Sequence, residues 1–155
     1  MIQGIPLPAT DDPLDAEFWA RAREGRLVVQ GCGQCGARRF PPRPMCPHCQ
    51  SEEVRWDEDP GGGHIWSFAT PRPPLLPAFE ALLPYVVIVG ALDSDPAIRI
   101  AGMLDGDLPD GDAIAIGRPI HLVFKAVGDD CALPFWRLGP KATSRPSGRP
   151  REIPT

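Results

Sequence analysis

No apolar run in this chain exceeds Tyr85–Leu92, far short of the roughly 20 residues a helix needs to cross a bilayer. Met1–Thr10 has neither a basic start nor an apolar stretch, so no secretory signal is expected. A basic excess is also missing. The formal net charge is −4 and the pI about 5.3. That balance argues against general binding to nucleic acid or to an anionic membrane, where a basic surface supplies most of the affinity. Catalytic signatures are scarce. Histidine occurs only as His48, His64 and His121, in three different elements. No nucleophile elbow, dinucleotide-binding fingerprint or metalloprotease helix is found. No catalytic residue is expected, and a binding or accessory role is favoured over an enzyme. Long helical patterns are lacking too, and 21 prolines with 16 glycines favour short strands and turns.

Against these absences stand four paired cysteines, Cys32-Gly33-Gln34-Cys35 and Cys46-Pro47-His48-Cys49. Each pair can grip one face of a metal ion, and a short hairpin bringing the pairs together completes a tetrahedron. Four soft sulfur ligands point to structural Zn2+, with iron second. Four thiolates leave no position open for water, which excludes a catalytic metal. His48 is read as a bystander. Paired cysteines without a secretory signal fit a reducing cytoplasm and a metal better than disulfides. Cys131 is flanked by Asp129 and Asp130, neighbours that disfavour a thiolate nucleophile, so a structural free thiol is expected.

The expected architecture is mainly β. Asp11-Asp12-Pro13 reads as a helix start and Gly25 as its stop. Leu14, Phe18 and Ala22 recur at four-residue spacing between them, with Trp19 near the same face. This helix, residues 11–25, serves either as a lid on the core or as a docking arm. Residues 26–58 read as a zinc ribbon, with strands at Leu27–Gln30, Arg38–Phe40 and Val54–Trp56 and a stiff Pro41-Pro42-Arg43-Pro44 arm. Asp59-Pro60-Gly61-Gly62-Gly63 reads as a flexible join. Residues 63–138 show five short strands, which suggests a closed OB-fold barrel. Pro134 assigns the last strand towards an edge. Residues 139–155 have the composition of a disordered tail.

Two loops invite functional readings. Asp105, Asp107, Asp110 and Asp112 resemble a calcium loop, but Pro109 and the missing final glutamate break the EF-hand register, leaving a pair of turns. The segment from Pro71 to Pro84 is long for a hairpin loop and carries Leu75, Leu76, Phe79, Leu82 and Leu83. Leu75, Leu76 and Phe79, with Trp19 of the helix, are candidates for docking a partner protein.

Taken together, Phe18-Trp19, Gly25–Gln30, Cys32-x-x-Cys35-Gly36, Arg39–Pro44, Cys46-Pro47-x-Cys49, Trp66-Ser67-Phe68, Pro84–Val87, Ile116–Ile120 and Leu133-Pro134 resemble the rubredoxin-like zinc-ribbon plus OB-fold family. The resemblance covers roughly residues 14–138. It implies a non-catalytic accessory subunit of thiolase-like, aldolase-like or MaoC hydratase-like enzymes acting on acyl-CoA or steroid side-chain CoA esters. Such subunits bridge or stabilise the catalytic partner and help form its CoA channel. Gln50 departs from the glycine that many members carry after the fourth cysteine. Under this reading Arg38, Arg39 and Arg43 are candidates for CoA phosphates, and Phe40, Trp66 and Tyr85 for stacking on adenine or lining a pantetheine slot. A solvated ribbon face is the alternative for the arginines. A single-stranded nucleic-acid binder is the alternative function, opposed by the acidity of the chain and by the few Lys and Arg on the barrel strands. An enzyme acting alone ranks last.

Overall fold

The computed structural model describes residues 6–109, 114–128 and 130–140. The expected tail lies outside the described residues from position 141, as do Asp110, Asp112 and Asp129. Helix α1 spans Ala16–Arg23. It begins later than Pro13, because Asp12 first caps a separate turn, its side chain accepting the Leu14 N–H at 2.9 Å. Gly25 ends the helix as expected. Its φ of 75° lets the Gly25 and Arg26 N–H groups reach the carbonyls of Ala22 and Arg21 at 2.9 Å each, a Schellman closure.

A three-stranded antiparallel sheet follows, built from β1 (Leu27–Cys32), β2 (Arg38–Arg39) and β3 (Val54–Asp59) in the order β2-β1-β3. Five further strands make a closed barrel: β4 (Gly62–Ala69), β5 (Val87–Leu92), β6 (Arg99–Leu104), β7 (Pro119–Ala126) and β8 (Ala132–Leu138). Their order β4-β5-β6-β8-β7, with β7 returning to β4, is the five-stranded OB arrangement. Closure leaves no free edge, so β8 is paired on both sides. This overturns the edge assignment drawn from Pro134. Pro134 is accommodated because the parallel ladder between β6 and β8 starts one residue later, at Met103 with Phe135.

One apolar core runs through the barrel and into the ribbon. Ile65, Ile88, Leu92, Ile100 and Trp136 form its centre, and Phe18 of α1 with Leu27 and Val29 of β1 extend it. Phe18 is 3% exposed and meets the rings of Trp19, Phe40 and Phe124 at 4.9, 5.3 and 6.0 Å. The helix is therefore a lid, and burying Phe18 contributes on the order of 2 kcal/mol. The glycine-rich join is not slack. Gly61 has φ 78° and its N–H bonds the Asp59 carboxylate at 2.9 Å. Its carbonyl accepts the Leu122 N–H at 2.8 Å. At Gly63 an added Cβ would run into the Ala91 carbonyl. Gly61 is thus kept for its left-handed backbone and Gly63 for lack of room where the ribbon turns into the barrel wall.

Candidate metal centre and its surroundings

The four paired cysteines converge. Their sulfur atoms all lie within 4.8 Å of one another, with Cys32 to Cys49 at 3.5 Å and Cys35 to Cys46 at 3.6 Å. A tetrahedral ion with metal–sulfur bonds near 2.3 Å needs sulfurs about 3.8 Å apart, so the donor set and its spacing fit such an ion. Two similar turns build the site. The Gly36 N–H bonds the Cys32 carbonyl at 3.0 Å and the Gln50 N–H bonds the Cys46 carbonyl at 2.9 Å. Each turn aims backbone N–H groups at its first sulfur. The Cys35 N–H above all lowers the Cys32 pKa to about 6, and the Cys49 N–H above all lowers that of Cys46. Cys49 is pushed up to about 12: the Ser51 N–H acts to lower it, but burial and the three facing thiols prevail. His48 is exposed outside the cluster.

The turns differ in the residue that follows their second cysteine. Gly36 has φ 75°, and Gln50 holds φ 62° in the same left-handed region. A side chain there is strained where glycine is not. Gln50→Gly is expected to stabilise the second knuckle by roughly 0.5–1 kcal/mol. Slower loss of metal to a chelator, with unchanged metal stoichiometry, would show it; an equal or faster loss would count against the strain.

Three of the six CoA candidates are engaged within the fold. Arg38 donates to Asp59 at 2.7 Å and to Ser94 at 3.1 Å. Arg39 is buried and donates to the Gln30 side chain at 2.5 Å and to the Arg43 carbonyl at 3.3 Å. Phe40 packs on Phe18. Arg43 is exposed, while its backbone N–H bonds Gln30 at 2.8 Å. Gln30, 1% exposed, thus ties the proline arm to β1, a role the sequence reading missed. Tyr85 is half-buried. Trp66 is 48% exposed, with the Arg99 guanidinium 4.0 Å above its ring.

The docking candidates divide between two places. Leu75, Leu76 and Phe79 sit on the loop after β4, around helix α2 (Pro77–Glu80). Leu76 points outward at 62% exposure, whereas Leu75 and Phe79 are half-buried. Trp19 lies elsewhere, bonded to Asp15 at 3.1 Å. It borders an open cavity of about 360 Å³ over β5, β6 and β8, where Val87, Met103, Leu133 and Phe135 are among the lining residues. None of the residues lining that cavity is titratable.

The acidic loop holds no vacant carboxylate at its first position, since Asp105 is bound by Lys125 and Arg137. Lys125 above all, with Arg137, keeps its pKa below the usual carboxylate range against the effect of burial. Cys131 is buried, and burial raises its pKa, so it stays a thiol at neutral pH. His64 pairs with Asp93 at 3.3 Å on the surface. No helix among the described residues is long and apolar enough to cross a membrane.

Comparison with known proteins agrees with this architecture. A family model described as "ChsH2, rubredoxin-like zinc ribbon domain" matches residues 19–55, and one described as "ChsH2, C-terminal OB-fold domain" matches residues 56–125. A "Probable enoyl-CoA hydratase alpha subunit" of Thermomonospora curvata is 38% identical over 85% of this chain. The match spans 39% of that longer protein. A "DUF35 domain-containing scaffold protein" of Methanothermobacter thermautotrophicus is 31% identical over 67% of this chain and 75% of its own length. A solved chain titled "Ltp2-ChsH2(DUF35) aldolase" superposes with a TM-score of 0.74 at 34% identity, over 84% of this chain and 98% of that one. With the thiolate cluster, the ribbon and the closed barrel in their expected order, the chain belongs to the ChsH2 family of rubredoxin-like zinc-ribbon plus OB-fold proteins, the DUF35 scaffold group.

Proposed function

We propose that this chain is a non-catalytic accessory subunit, cytoplasmic, that binds a thiolase-, aldolase- or MaoC hydratase-like acyl-CoA enzyme and contributes to CoA binding, with structural zinc in its ribbon. The observation that carries the reading is the likeness to the solved chain, 98% of which is matched and whose title joins ChsH2(DUF35) to an aldolase. The relative named as a hydratase alpha subunit points to the same class of chemistry. The site chemistry is consistent with a non-catalytic role. Four sulfurs would saturate a tetrahedral ion, and the described cavity brings no acid or base to a substrate. In this reading CoA contact falls to Arg43 and Tyr85, since Arg38, Arg39 and Phe40 are engaged inside the fold and Arg99 occupies one face of Trp66. Docking falls to the loop of Leu75, Leu76 and Phe79 and to the cavity beside Trp19. The nucleic-acid alternative gains no support, because Lys125 and Arg137 of the barrel share Asp105.

Purification of the full chain from its native cell under mild conditions tests this. An acyl-CoA enzyme subunit is expected in fixed stoichiometry, and calorimetry is expected to detect CoA binding by the complex. Recovery of a lone monomer that binds no CoA would overturn the proposal.

A further inference from the structure

Trp66 lies at a slip in the barrel, on the outward face of β4 opposite buried Ile65. Ile65 pairs with Gly90 and Ser67 with Val89, so two steps of β4 span one step of β5. Ile65 goes wholly into the core, while Trp66 is left on the surface. On the other flank, the Ile65 N–H donates to the Arg118 carbonyl at 2.9 Å, and its carbonyl accepts the Gly117 N–H at 2.8 Å. Those bonds bring Ile116, 65% exposed, alongside, and Phe68 follows Trp66 at 40% exposure. Three large apolar side chains thus remain in water along one stretch of β4 and its neighbour.

Arg99 supplies the second, independent observation. Among the described arginines, Arg21, Arg23, Arg26, Arg38, Arg55 and Arg137 each lie within ion-pair distance of a carboxylate. Arg99 instead lies on the Trp66 ring, and among the described residues no carboxylate is within ion-pair distance of it. The nearby acids are used elsewhere. Asp93 pairs with His64, and Asp95 accepts the Ala97 N–H at 3.1 Å. A stacked guanidinium keeps its in-plane N–H fork free for a bidentate carboxylate.

We propose that Trp66 and Arg99 add a further anchor, beyond the loop of Leu75, Leu76 and Phe79 and the cavity beside Trp19, to the surface that docks the catalytic subunit of the acyl-CoA enzyme, with a carboxylate of that subunit seated on the Arg99 fork and an apolar side chain on Trp66. The inference rests on the accessory-subunit reading and adds to it the place and chemistry of contact. A protein surface fits better than a small ligand. Small ligands bind in concave sites, and neither Trp66 nor Arg99 lines the described cavity. Exposed tryptophan and arginine are the residues that most often dominate protein interfaces.

The test uses the full chain and the acyl-CoA enzyme subunit that co-purifies with it, once that subunit is identified and co-expressed. Trp66→Ala and Arg99→Glu are each expected to weaken the complex about 30-fold or more, the size expected for a central anchor. Arg99→Lys should lose part of this, because it keeps the charge without the fork. A photo-crosslinker at position 66 is expected to label the partner subunit close to an Asp or Glu. Reversing that acid to lysine should restore binding to Arg99→Glu. Circular dichroism and metal content of the variants should match the wild type. The inference is overturned if both variants bind like the wild type, if the crosslink reaches a second copy of this chain, or if the variants lose CoA affinity alone. If the wild type captures no acyl-CoA enzyme subunit, the accessory-subunit reading falls and the inference falls with it.

Discussion

Removal of the metal, or replacement of any one of Cys32, Cys35, Cys46 and Cys49 by serine, is expected to unfold the chain between residues 33 and 53 while β5 to β8 stay paired. That stretch has almost no core of its own. Among its residues only Arg39 and Cys46 are buried, and Met45 is 46% exposed. Its hydrogen bonds, such as Cys46 N–H to the Ser51 carbonyl at 2.9 Å, hold two small turns that nothing apolar supports. In such modules metal binding supplies the folding free energy, about 10–16 kcal/mol for structural zinc at neutral pH. The barrel has its own centre in Ile65, Ile88, Leu92, Ile100 and Trp136, which does not depend on the sulfurs. The expected result is therefore partial unfolding. Elemental analysis should find one equivalent of zinc per chain and less in every variant, and would equally recognise iron. Hydrogen exchange should show the Cys32 and Cys46 amides losing protection with the metal while the amides of β5 and β6 keep theirs. Undiminished protection between 33 and 53 in the metal-free protein would defeat the argument.

The parts legible in the sequence were those set by local rules. Cysteine spacing gave the converging ligands, because two knuckles and a hairpin can bring them together in few ways. Gly25 marked the helix end because left-handed backbone favours glycine. Alternating apolar patterns marked the strands at residues 98–104 and 120–126, and the continuous apolar run Tyr85–Leu92 marked β5 as central. What escaped depends on approach between distant segments. Arg38 and Arg39 looked like free cations because nothing local shows that Asp59 and Gln30 face them. Pro134 suggested an edge because a missing N–H is usually tolerated there, and only the staggered start of the β6–β8 ladder shows the alternative. The bulge at Trp66 left no mark, since one extra residue in β4 looks the same as regular alternation until β5 lies beside it. The glycine-rich join looked slack because composition cannot distinguish a flexible glycine from one fixed by a left-handed turn, as Gly61 is, or by lack of room, as Gly63 is.

Asp59→Ala is expected to be the most damaging substitution away from the cysteines, costing about 3–5 kcal/mol, the range for breaking a buried charge pair. The Asp59 side chain is 2% exposed and that of Arg38 18%. Arg38 from β2, Ser94 after β5 and the Gly61 N–H converge on this one carboxylate at 2.7, 2.5 and 2.9 Å. The cluster joins the ribbon sheet to the barrel wall at the turn where one strand becomes the next. Removing the acid leaves the Arg38 guanidinium in a protein environment without its counter-charge, a larger loss than removing the pair together. Acid should act the same way. Burial tends to raise the Asp59 pKa, but the Ser94, Arg38 and Gly61 contacts outweigh it and hold the value below the usual carboxylate range. A group depressed by folding contributes stability above its unfolded pKa, near 4, and loses it as pH falls through the folded value. Asp105 is shifted in the same direction. Thermal stability should thus stay level from pH 7 to about 5, fall below about 4, and fall less steeply in Asp59→Ala. Arg38→Ala separates this role from CoA binding: a stabilising clamp predicts a lower melting temperature with unchanged CoA affinity, and a CoA ligand predicts the reverse. An Asp59→Ala protein within about 1 kcal/mol of the wild type would show that the ribbon is held to the barrel by the shared apolar core alone.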